Sequence, residues 1–91
     1  MIQRHVFVTG RVQGVGFRAS TARMARQYPK VKGFVRNLED GRVEAVFNGP
    51  DTDVLALVSW CRKGPILAKV TELEVIEEEP SFGFLDFDVR I

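Results

Sequence analysis

Apolar positions along this 91-residue chain change period several times, and each change marks an element. Residues 2–10 (IQRHVFVTG) are short, β-branched and aromatic, which predicts a strand. Gly14 and Gly16, inside 11–17 (RVQGVGF), break that strand and admit unusual backbone angles. From Phe17 or Arg18 to Tyr28 the period becomes helical. Phe17, Thr21, Met24/Ala25 and Tyr28 share one face, with Arg23, Arg26 and Gln27 elsewhere. Pro29 ends this helix, because the residue before a proline is pushed out of the α region.

Residues 31–38 (VKGFVRNL) and 42–48 (RVEAVFN) predict two strands joined around Asp40-Gly41 as an antiparallel hairpin. In the second, Val43, Ala45 and Phe47 take one face, and Glu44, Val46 and Asn48 the other. A second helix is expected from about Asp51 to Lys63. Asp51 or Thr52 caps it, Asp53 suits its dipole, and Val54, Leu57, Val58 and Cys61 form its buried stripe. Gly64-Pro65 ends it. Residues 68–77 (AKVTELEVIE) predict a fourth strand. In 84–91, Leu85, Phe87, Val89 and Ile91 alternate with Asp86, Asp88 and Arg90, predicting a half-buried fifth strand. The order β-α-β-β-α-β with an added C-terminal strand is the ferredoxin-like α+β arrangement, with two helices on one face of a mainly antiparallel sheet. That fold hosts many chemistries and decides none of them.

Without a linker, repeat or low-complexity segment, the chain reads as one domain over residues 1–91. Hydrophobic residues make up 45% and charged residues 27%, as expected of an ordinary globule. A lone Cys61 rules out an intrachain disulfide and a multi-cysteine zinc site, and suits a reducing compartment. No apolar run approaches the roughly 20 residues of a membrane span. The net charge of +1 conceals an asymmetry. Residues 1–36 carry eight Lys/Arg and no acid, whereas 37–91 carry five basic and twelve acidic residues. An anionic partner for the first part follows as an expectation.

The segment between the first strand and first helix could receive such an anion. The first turn of a helix leaves its N–H groups without internal partners, and glycines let consecutive N–H groups converge into a concave nest. Arg18 stands at the helix start, where its planar fork can hold a phosphate bidentately. A glycine turn followed by a surface arginine is the plainer reading of the same residues. Two known phosphate motifs do not apply. The nucleotide P-loop ends in Gly-Lys-Ser/Thr, and this loop ends in Gly16-Phe17-Arg18. Gly14-Val15-Gly16-Phe17-Arg18-Ala19 matches G-x-G-x-x-A, but a hairpin after the second strand leaves no room for the parallel units of a dinucleotide fold.

Val8-Thr9-Gly10-Arg11-Val12-Gln13-Gly14-Val15-Gly16-Phe17-Arg18 resembles the first signature of the acylphosphatase family. Gly33-Phe34-Val35-Arg36-Asn37-Leu38-Glu39-Asp40-Gly41-Arg42-Val43-Glu44, followed by Gly49, resembles the second. The likeness continues through Ser59-Trp60 and Lys63-Gly64-Pro65 and covers essentially the whole chain. It implies a ferredoxin-like enzyme that hydrolyses the carboxyl–phosphate bond of acyl phosphates without metal or cofactor. A monomer is the default for so small a family member, and the small substrate is its expected partner. The reducing compartment suited to Cys61 points to the cytoplasm, and no nucleic acid and no membrane are expected. The resemblance assigns the phosphate to Arg18 and to the loop amides of Gln13, Gly14, Val15, Gly16, Phe17 and Arg18. It assigns the attacking water to Asn37.

Three departures accompany the resemblance. Residues 27–31 are about one residue longer than the family's usual connection, Leu38 stands where many relatives carry a hydroxyl residue, and the chain ends in Ile91 rather than an aromatic. His5 is the only histidine and lies in the first strand, so no Ser/His/Asp or Cys/His constellation is assignable. Glu72, Glu74, Glu77, Glu78 and Glu79 suit strand alternation and a charged tail better than a metal site. RNA-recognition modules share the element order, and Lys32-Gly33-Phe34-Val35 echoes the start of their RNP1 motif. Arg36-Asn37-Leu38 follows where stacking aromatics belong, and the near-neutral total charge disfavours that reading. Arg11, Arg23, Arg26, Lys30, Lys32 and Arg36 read as solvated charges, some able to steer an anion.

Overall fold

Alternation along the strands decides which side of the sheet carries the helices. A computed structural model describes residues 1–91 as β1 (Ile2–Arg11), α1 (Phe17–Ala25), β2 (Lys32–Asn37), β3 (Val43–Gly49), α2 (Asp51–Cys61), β4 (Lys69–Glu78) and β5 (Phe87–Val89). The sheet order is β4-β1-β3-β2-β5, antiparallel except for the β2–β5 pair. Val6 and Val8 of β1, Val35 of β2, and Val43, Ala45 and Phe47 of β3 all face one side and are buried in a single core. Over that side α2 covers β1 and β3, and α1 covers β2 and β5. The ferredoxin-like α+β arrangement expected from the element order is therefore the one observed.

Each helix buries the expected stripe. Val54, Leu57, Val58 and Cys61 of α2 are buried, at about 1.5–3 kcal/mol for each large aliphatic side chain. In α1, Phe17, Thr21 and Ala25 are buried, with Met24 and Tyr28 packing at the edge. The helix ends are earlier than the pattern predicts. After Ala25 the N–H groups of Gln27 and Tyr28 bond to the carbonyls three residues back, which tightens the chain into turns before Pro29. Likewise α2 stops at Cys61, because the N–H of Arg62 and Lys63 bond three residues back. Pro50, rather than Asp51 or Thr52, is the N-cap of α2, and no side chain caps it. Proline fits there, just before the helix, because it has no N–H to leave unsatisfied.

The C-terminal strand is the largest correction. A half-buried strand over 84–91 is expected, but only Phe87–Val89 pairs, with Gly33–Val35 of β2. Phe87 stacks on Phe47 at 5.6 Å between centroids, while Leu85 and Ile91 are exposed. Alternation survives at both positions, but each lies past the end of the ladder and has nothing to pack on.

The face away from the helices is also occupied, so every residue of β3 is buried, Glu44, Val46 and Asn48 included. His5 explains much of this. Its Nδ1 lies 2.9 Å from Glu78 and its Nε2 2.7 Å from Glu44, and Arg36 closes on the other oxygen of Glu44. A neutral imidazole has one N–H, so two carboxylate partners call for the doubly protonated ring. Burial alone would lower the His5 pKa, but the bonds and charges of Glu78 and Glu44 outweigh it and raise the value above 6.5. Burial works against Glu44 too, yet His5 and Arg36 hold its carboxyl below its ordinary 4.5; bonds from Gln3 and His5 do the same for Glu78.

This network stabilises the fold in a defined pH window. The His5 contribution is complete below about 6.5 and is lost as pH rises through the higher folded value. The two carboxylates contribute above about 4.5 and lose their share as pH falls through their lowered folded values. Urea unfolding is thus expected to show stability declining by about 1 kcal/mol between mildly acidic and mildly alkaline pH. A His5→Gln variant should lack that decline, and an unaltered decline in it would place the titrating group elsewhere.

Candidate active site

The loop between β1 and α1 is anchored from below and open above. Val12 is buried in the core and fixes its start, and Phe17 is buried and fixes its end. Between them Gly14 (φ 74°) and Gly16 (φ 80°) take left-handed angles, and Gly16 is the N-cap of α1 with no side-chain cap. A Cβ at either glycine would meet no neighbouring atom, so the backbone angle is what calls for glycine there. The N–H groups of residues 13–19 make no hydrogen bond of ordinary geometry within the chain. They form the free, positively polarised end of a helix extended by a glycine turn.

The parity of β2 brings in the second signature. Asn37 lies two residues beyond Val35 and so emerges on the helix side of the sheet, at the end of β2. Its half-buried carboxamide has no hydrogen bond within the chain. A cleft of about 550 Å³ joins the pieces: Gly14, Gly16, Phe17, Arg18 and Asn37 line it, with Val12 beneath and Val89 of β5 opposite. Arg18 is partly exposed and donates from Nη1 to the carbonyl of Arg90 at 3.1 Å, leaving its other N–H groups free to bind a ligand. No Asp, Glu or His lines the cleft.

Of the residues singled out in the sequence, Gln13 and Val15 are the two that do not line this cleft. Val15 packs against the core and faces a separate groove with Trp60. Gln13 has a different task, invisible in the sequence. Its Nε2 donates to the carbonyls of Leu38 and Arg42 at 2.7 and 2.9 Å, so the loop holds both sides of the hairpin turn that follows Asn37. The Arg90 carbonyl and Val89 are likewise absent from any reading of the signatures. Arg23 and Arg26 are exposed, as expected of solvated charges, and they also line the same cleft as Arg18, with their spacing along the helix as the available signal.

His5 lies on the opposite face of the sheet, bonded to Glu44 and Glu78, and does not reach the cleft. Cys61 is wholly buried, and burial pushes its thiol up to about 12, so it supplies no nucleophile. No helix is long and apolar enough to cross a membrane.

The family model for acylphosphatase matches residues 4–89. The chain is 57% identical over 86 residues to an acylphosphatase of Haloarcula marismortui, covering 94% of this chain and 92% of that protein. It superposes on the crystal structure of acylphosphatase from Bacillus subtilis with a TM-score of 0.93 at 36% identity, each chain covered in full. The crystal structure of T. kodakarensis HypF is also similar, with a TM-score of 0.83 at 33% identity, but all of this chain matches only 12% of that one.

Proposed function

The chain belongs to the acylphosphatase family and is an acyl phosphate hydrolase, and on that premise we propose how its cleft carries out the reaction. The substrate phosphate sits on the free amides of the loop from Gln13 to Arg18, of which Gly14, Gly16, Phe17 and Arg18 line the cleft itself, with the Arg18 guanidinium gripping two of its oxygens. Asn37 orients a water in line with the bond to the acyl oxygen, accepting one hydrogen bond from it through its carbonyl. The phosphorus–oxygen bond to the carboxyl group breaks, water oxygen takes its place, and the carboxylate departs with the electron pair. A carboxylate is a weak base at neutral pH, so no acid is required to protonate it. The proton released by water passes to a phosphate oxygen of the substrate, whose own basicity suffices. Catalysis then rests on positioning and on electrostatic stabilisation of the equatorial oxygens.

One observation carries this reading. The two residues of the signatures able to bind phosphate and orient water, 19 positions apart in sequence, line a single cleft around a run of free N–H groups. The absence of carboxylates and imidazoles on the cleft walls suits a mechanism in which the substrate accepts its own proton. The reading extends to one domain over residues 1–91 working as a monomer in the cytoplasm, without cofactor, metal, nucleic acid or membrane. The free buried thiol of Cys61 accords with a reducing compartment. Acetyl phosphate hydrolysis in excess chelator tests it: turnover is expected to be undiminished, and turnover that requires added divalent metal would overturn the mechanism.

A further inference from the structure

Arg18 is not the only guanidinium on the cleft wall. Arg18, Ala22 and Arg26 follow one another at four-residue intervals along α1 and its C-cap, and Ala19 and Arg23 form the adjacent row. All five line the cleft. Outside the cleft, Arg4, Arg36 and Arg42 form ion pairs with Glu77, Glu44 and Asp40, whereas Arg11, Arg62 and Arg90 form none. None of the three cleft arginines joins an ion pair. Arg23 reaches only the Ser20 hydroxyl, at 3.4 Å, and the Arg26 side chain makes no hydrogen bond at all. Arg23 and Arg26 stand three residues apart on the helix, a spacing at which like charges repel. Between the arginines lie two alanines, whose small side chains leave the floor open. At about 550 Å³ the cleft falls within the range that takes ligands much larger than a lone phosphate. The adjoining hollow past Arg26 carries Asp86 and Lys32, so the unopposed positive wall ends there.

We propose that Arg23 and Arg26 bind a second anionic group at the far end of the acyl portion, so the enzyme prefers acyl phosphates whose acyl group itself ends in a carboxylate or phosphate. This rests on the phosphate being seated at Arg18. The helical rise then sets the scale: the Arg23 and Arg26 backbones lie about 7.5 and 12 Å from that of Arg18 along the axis. The second anion therefore belongs several ångströms from the reacting carbonyl, with the intervening chain over Ala19 and Ala22. Neither arginine touches the reacting atoms; both set specificity.

A matched pair of rigid substrates isolates the charge. The para substituents of 4-carboxybenzoyl phosphate and 4-methylbenzoyl phosphate are similar in shape and differ in charge. The wild-type ratio of kcat/KM, carboxy over methyl, is expected to be about five- to tenfold at low salt, as suits ion pairs to two exposed arginines. It should shrink in about 0.5 M salt. In the Arg23→Gln/Arg26→Gln double variant the ratio should fall to about one, with kcat for acetyl phosphate unchanged. Taking a ratio removes general steering of the phosphate dianion, which both substrates share. A wild-type ratio near one, or an undiminished ratio in the double variant, would overturn the proposal while acetyl phosphate hydrolysis upheld the function. Failure to hydrolyse acetyl phosphate would instead strike the functional reading itself.

Discussion

Arg18→Ala is expected to lower kcat/KM for acetyl phosphate by about 100- to 1,000-fold, the loss seen when a donor to developing negative charge is removed. Inhibition by inorganic phosphate should weaken with it, because the guanidinium grips the same oxygens in substrate and product. Lysine should recover only part of the loss, since a point charge cannot reproduce the planar fork. Folding stability is expected to stay within about 0.5 kcal/mol, because Arg18 is partly exposed and has one bond to the chain, to the Arg90 carbonyl. Steady-state kinetics, a phosphate inhibition series and urea unfolding on the same preparations separate these effects. A variant that kept its rate, or lost rate only by unfolding, would remove Arg18 from the mechanism.

What sequence reasoning recovers here follows from how local each signal is. The stripe Val54-Leu57-Val58-Cys61 and the hairpin around Asp40-Gly41 are written within a few residues, and both are present as expected. The edges of elements are less local. α1 gives way to turns before Pro29, and alternation in 84–91 cannot say that the ladder ends at Val89. The cleft shows the same division. Its glycines, Arg18 and Asn37 stand out because their chemistry is legible in the signatures themselves. Gln13 binding the carbonyls of Leu38 and Arg42, and Arg18 meeting the Arg90 carbonyl, join positions 25 to 72 residues apart through backbone oxygens. Every residue has such an oxygen, so no residue type announces it.

The charge asymmetry is resolved in the same terms. Of the basic residues before Asn37, Arg4 and Arg36 meet Glu77 and Glu44 from the acidic remainder of the chain. Pairing across the sheet therefore neutralises part of the imbalance, and what stays unpaired in the cleft is the row on α1. The excess of positive charge reads as an anion site of limited length instead of a broad polyanion-binding face, because the opposite face of the sheet carries Glu44 and Glu78 around His5.

Asn37→Ala should divide what Arg18→Ala joins. Its carboxamide is free of partners within the chain and half buried at the end of β2, so truncation opens a small solvent-accessible space without breaking a native bond. The water it would hold attacks phosphorus but contributes little to holding the bound phosphate. The expected result is a fall in kcat of about 100- to 1,000-fold, the scale of losing a preorganised polar contact in the transition state, with KM nearly constant. The inhibition constant for phosphate should move by less than about twofold, since ground-state binding belongs to the amides and Arg18. Asn37→Asp offers a sharper version. The carboxylate can still accept a hydrogen bond from water, but it places negative charge beside the phosphate dianion, so it should weaken phosphate inhibition where alanine does not. Equal loss of phosphate binding in the Arg18 and Asn37 alanine variants would show that both residues grip the anion, and the orientation of water would then have to be sought in the loop amides.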